Sequence, residues 1–105
     1  MRVLEFIAGG QTLKRDPLCD FSGIAAGSRG HLVARFRFTK DWAGFKKVAV
    51  FVHAGREHPV GLKDNMCEIP AEALGGSYVQ VYVVGQRGEY RIETEKTAFA
   101  QTVRR

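Results

Sequence analysis

The chain has only two cysteines in 105 residues, Cys19 and Cys67. They lie far apart and form no C-x-x-C pair, so the sequence holds neither a thiolate metal motif nor a dithiol redox motif. Two buried thiols are expected, a disulfide being the alternative if folding sets them side by side. Long apolar runs are missing too. The longest, Val48 to Val52, falls far short of the roughly 20 residues a membrane-spanning helix needs. The opening "MRVLEFIAGG" lacks the apolar core of a secretory signal, and a soluble chain, cytosolic in the producing cell, is expected. No window sustains a helical period. The 12 glycines make neither a P-loop nor G-x-G-x-x-G, which leaves nucleotide binding without a motif. Charge blocks are absent as well: 16 Lys and Arg against 11 Asp and Glu give a net +5, but they are scattered. Any basic surface has to be assembled by folding.

What the sequence has in quantity is alternation. In "HLVARFRFT", Leu32, Ala34, Phe36 and Phe38 share one face and Arg35 and Arg37 the other, the pattern of a strand that buries one side. "KKVAVFVHA" is apolar on both faces and reads as a central strand. "SYVQVYVVG" sets Val79, Val81 and Val83 against Tyr78, Gln80 and Tyr82, and "EYRIETEK" alternates again, with "GQRG" between them as the hairpin turn. Further strands are expected over Val3 to Ala8, Thr12 to Arg15, Glu57 to Lys63, Met66 to Ile69 and Thr97 to Val103. Only "PAEAL", with proline first and "GG" following, has the makings of a helical turn. The pattern predicts one all-β domain over residues 1–105, a compact antiparallel β-sandwich of immunoglobulin-like kind with about seven to nine short strands. Its expected core includes Phe36, Phe38, Trp42, Val50, Phe51, Leu62, Ile69, Leu74 and Val81.

Catalysis requires a nucleophile or metal held by partners, and the reactive residues fall in no helpful spacing. His31, His53 and His58 match no zinc-ligand pattern and read as ordinary exposed or hydrogen-bonded histidines. Cys67 beside Glu68 has no activating neighbour in sequence and reads as a small core residue. Asp64 and Asn65 lack the further oxygens and the distal Glu of a calcium loop, and read as a tight turn. The interleaved Arg35, Phe36, Arg37, Phe38 and Trp42 resemble a single-strand nucleic-acid platform. Parity argues against it, because rings and guanidiniums point to opposite faces. No catalytic residue, cofactor or metal is assigned.

Taken together, Phe36 and Phe38, then Asp41 to Gly44, Lys47 to Phe51, Leu62 to Leu74, Val81 to Gly85 and Ile92 to Thr94 follow a recognisable order. They spell F-x-F, D-W-x-G, K-x-A-x-F, L-x-D-N-x-C-x-I-P-x-E-x-L, V-x-V-x-G and I-x-T. This succession resembles a small β-sandwich module of tailed-phage virion proteins, found as the N-terminal domain of baseplate upper proteins and related tail or head-fibre proteins. The likeness runs from about Val3 to Val103. It implies a non-enzymatic structural module that docks on a tail, baseplate or capsid and resides in the virion, after a passage through the host cytoplasm. Its partners would be other virion proteins or a second copy of itself, with neither nucleic acid nor membrane expected. Many members continue into helical or fibre-forming segments, whose receptor-binding role is not carried over. Tyr78, Tyr82, Arg35 and Arg37 are the expected interaction surface. The alternative is a small basic binding protein for nucleic acid or for a host factor that it inhibits, on the strength of the positive charge.

Overall fold

A computed structural model describes residues 1–103. The strands are β1 (Arg2–Gly9), β2 (Thr12–Arg15), β3 (Leu32–Phe38), β4 (Lys46–His53), β5 (Arg56–Gly61), β6 (Met66–Glu68), β7 (Tyr78–Arg87), β8 (Tyr90–Glu93) and β9 (Thr97–Ala100). Short 3-10 turns occupy Lys40–Trp42 and Ala71–Ala73. The period-two alternation decides what these strands bury. Leu4, Phe6 and Ala8 of β1, Ala34 and Phe36 of β3, Ala49 and Phe51 of β4, and Val79, Val81 and Val83 of β7 all join one core.

The strands form a four-stranded sheet ordered β2-β1-β3-β6 and a five-stranded sheet ordered β5-β4-β7-β8, with β9 beside β8 on the same flank of β7. The chain crosses between sheets after β3, after β5 and after β6, so the β3–β6 pair in one sheet interlocks with the β4–β7 pair in the other. This is an all-β sandwich with immunoglobulin-like connections.

One pairing departs from the expected antiparallel plan: β1 and β3 run parallel, Arg2 opposite Leu32 through Ala8 opposite Phe38. Parallel neighbours need a long connection, and residues 16–31 supply it. They carry the chain from the end of β2 past β1, where Arg2 holds them by donating to the carbonyls of Asp20 (2.9 Å) and Ser22 (2.6 Å). Ile24 and Phe21 of this segment pack on the core, Phe21 edge-on to Phe6 at 5.4 Å.

Trp42 plugs the opposite end. It is fully buried between Phe38 and Phe45, and its Nε1–H donates to the Gly10 carbonyl at 3.0 Å. Gly85 makes room for it, since a Cβ there would meet the indole Cζ3 at 2.6 Å. Phe36, Phe51, Ile69, Leu74 and Val81 are buried, while Phe38 and Leu62 are partly buried against the same cluster.

Four expectations are corrected. Val50 is buried to 6% exposure but does not belong to the core between the sheets. Its parity opposes that of Ala49 and Phe51, so it lies on the outside of β4 among its strand neighbours. Val33 is likewise buried on the outside of β3, beside Val3 and Glu68, so that strand does not bury one side alone. The "GQRG" turn shifts: β7 runs on through Arg87, and Gly88 and Glu89 alone make the turn. Finally, β9 stops at Ala100, because Thr102 turns aside to bridge Ala25.

Candidate interaction surfaces

A two-layer sandwich has two outer faces, and the four residues expected to form one surface are divided between them. Arg35 and Arg37 lie outside the four-stranded sheet, and Tyr78 and Tyr82 outside the five-stranded one. Alternation along a strand distinguishes inside from outside, but does not say which outside.

On the four-stranded sheet the arginines are engaged within the chain. The Arg35 Nε donates to Glu5 at 3.1 Å, and Arg37 to the nearly buried Asp16 carboxylate at 2.8 Å. The other Asp16 oxygen accepts the Leu18 N–H at 2.9 Å and fixes the start of the 16–31 segment. These pairs flank an open cleft of about 340 Å³ reaching Phe38 and Asn65. Its lining sets Glu5, Asp16 and Asp64 against Arg35 and Arg37, an acidic balance that does not draw a polyanion.

The five-stranded sheet differs. Its register places Val48 beside Gly61 and Val84, Val50 beside Pro59 and Tyr82, and Val52 beside Glu57 and Gln80. Ala98 and Ala100 of β9 extend this apolar area next to Gln80 and Tyr78. Val50 and Val52 are covered by their strand neighbours, Val48, Tyr82 and Val84 are half-buried, and Pro59, Ala98, Ala100 and Tyr78 are exposed, Tyr78 by 56%. Charge is confined to the margins. The Tyr82 hydroxyl donates to Glu57 at 2.7 Å, a bond that pushes its pKa up to about 12, and the Lys96 ammonium lies 5.8 Å from the Tyr82 ring centre. Val48, Val84, Pro59, Ala98 and Ala100 escape the sequence reading. The available signal was β4 itself, since a strand apolar on both parities in a two-layer fold must turn one apolar row outward.

The free edge of this sheet at β5 is hindered against strand addition at its middle. Leu62 N–H donates to the Lys47 carbonyl, and antiparallel alternation then turns the backbone of Glu57, Pro59 and Gly61 away from β4. Proline at the middle of that row offers no N–H, a common device against edge pairing.

Asp64 and Asn65 both adopt left-handed φ, 53° and 61°, in a tight turn closed by the reciprocal Lys63 and Met66 backbone bonds. His31 is exposed, His58 half-buried, and His53 packs against Gly76. Among the described residues no three His, Cys, Asp or Glu side chains are grouped to hold a metal ion. Both cysteines are free. Burial pushes the Cys67 thiol up to about 12 and keeps it protonated, whereas Cys19 is half-exposed rather than buried as expected, its Sγ accepting the Glu5 N–H at 3.4 Å. No protein-family model matches this chain, and no curated protein matches it.

Proposed function

We propose that this chain is a non-enzymatic structural module of a tailed-phage particle, docking on the tail, baseplate or capsid through the outer face of its five-stranded sheet. The observation that carries the docking is the centre of that face, where Val48, Pro59, Val84 and the Tyr82 ring lie together, charge reaching them only from the flanks, through Glu57 and Lys96 at Tyr82 and Glu93 beside Val84. Interface centres are depleted of charge and enriched in aromatic residues, with the polar groups at the rim. Here Glu57, Arg91, Glu93 and Lys96 form such a rim. The phage assignment rests on the ordered blocks from Phe36 to Thr94. Electron microscopy of particles carrying the tagged protein tests it: density at fixed, symmetric positions is expected, and protein found only free in the lysate overturns the proposal.

A second reading, a small basic protein that binds nucleic acid or a host factor, is favoured by one feature. The Arg87 guanidinium stacks on Phe45 (4.8 Å) and approaches Tyr90 (5.8 Å), whose ring is 68% exposed. A gel-shift series at rising salt addresses its nucleic-acid form. Affinity that falls steeply with salt supports it, and no shift even at low salt removes it.

A further inference from the structure

We infer that the partner covering this face is a second copy of the same chain, packed face to face about a two-fold axis running along the strands between β4 and β7. The inference rests on the docking reading above and names its occupant.

Size is the first argument. The sheet is four strands wide at its broadest, β5-β4-β7 and then β8 or β9, and β7 is ten residues long. With β5, β4, β8 and β9 at six, eight, four and four residues, at about 4.8 Å per strand and 3.3 Å per residue the face covers about 500 Å² in projection. The accessible area of a corrugated surface is larger than its projection. It therefore approaches the roughly 800 Å² per partner that a stable complex buries.

Composition is the second argument. Interfaces between like copies are more apolar than those of transient partners, which match ordinary surface. A centre made of Val48, Pro59, Tyr82 and Val84 belongs to the former class.

Symmetry is the third. An axis along the strands sets β4 of one copy over β7 of the other, at the spacing of about 10 Å usual for stacked sheets. Val48 then meets Val84 of the second copy, and Val50 meets its Tyr82, so each apolar row covers the other. The same operation carries β5 over the β8–β9 margin. Glu57 of one copy comes within side-chain reach of Lys96 of the other, twice, by symmetry. Pro59 meanwhile disfavours the alternative of edge-to-edge pairing through β5.

Sedimentation equilibrium on the intact 11.7 kDa chain tests the inference. A mass twice that of the chain is expected, with Val84→Arg and Val48→Arg each shifting it to monomer while the far-ultraviolet spectrum is retained. Should either variant unfold, Pro59→Arg on the exposed margin takes its place. Lys96→Glu and Glu57→Lys should each weaken the dimer by about tenfold, and an equimolar mixture of the two variants should recover it, which only contacts between chains can produce. A wild-type chain that stays monomeric to about 1 mM overturns the inference. So does a dimer indifferent to the face variants. A monomer that still occupies fixed sites on particles, and loses them with Val84→Arg, rejects the second copy while leaving the docking face intact.

Discussion

Trp42 is the largest fully buried side chain, and its one polar atom is matched to the Gly10 carbonyl. Replacing it with alanine removes that donor and opens a cavity against Phe38, Phe45 and Gly85. Trp42→Ala should cost about 3–5 kcal/mol, a large part of the 5–15 kcal/mol typical of a whole domain. Urea denaturation reads the loss, and blue-shifted, iodide-resistant fluorescence of the native protein reports the burial. A Trp42→Ala protein of unchanged stability would count against this role. Tyr82 supports a second prediction. Its bond to Glu57 raises its pKa to about 12, above the usual 10, so the folded state favours the protonated phenol. The stabilisation is present below pH 10 and lost as pH rises through 12. Absorbance titration should show a late-ionising tyrosine, and Glu57→Gln should return it toward the ordinary range; a late tyrosine that survives the substitution would refute the assignment. At this scale Trp42 is legible from sequence, because a lone indole between F-x-F and an all-apolar strand has few places to go except the core. Val50 is not. In a strand apolar on both parities, only the neighbouring sheet decides which row faces inward.

Among the elements, the turn of Asp64 and Asn65 is the one whose chemistry the sequence states most directly. Both residues have positive φ, and Asp and Asn bear that conformation better than other side chains with a Cβ. A β-branched residue there forces the backbone against its preference. Asn65→Ile should therefore destabilise by about 1–2 kcal/mol, and Asn65→Gly by nothing or less, measured as shifts in the urea midpoint. Equal effects of the two would show that the turn is not held by its backbone conformation. The strands themselves are legible to within a few residues, because alternation marks each buried row. Direction is not. Period two is the same for parallel and antiparallel neighbours, so the β1–β3 pairing emerges only when residues 16–31 are seen to bring the chain back to the starting end of β1. The hairpin after β7 shows a similar limit. "GQRG" offers two glycines, and it is Gly88, with φ 60°, that makes the turn, while Gly85 stays in the strand to accommodate Trp42.

For the molecule as a whole, the two outer faces predict opposite responses to substitution. The Arg35–Glu5 pair is about half exposed at both ends, and Arg37 reaches Asp16 from a side chain 69% exposed. The Arg35–Glu5 pair is screened by solvent and contributes about 0–1 kcal/mol, whereas removing Arg37 takes the partner from the nearly buried Asp16 carboxylate. Arg35→Ser should accordingly leave both stability and assembly nearly unchanged, and Arg37→Ser should lower stability modestly by loosening the anchor of residues 16–31. On the other side, Tyr78→Glu removes no core contact, since the ring is more than half exposed, and it places a charge beside the apolar area. That variant should keep the wild-type melting temperature and lose its place on the particle, or its dimer, when the two are assayed side by side. Sequence alone assigned all four residues to one surface, because their parities are equivalent and only the crossing of the chain between sheets separates them. Reversal of the pattern, with assembly lost through Arg35→Ser and untouched by Tyr78→Glu, would move the docking surface to the four-stranded sheet and its cleft beside Phe38.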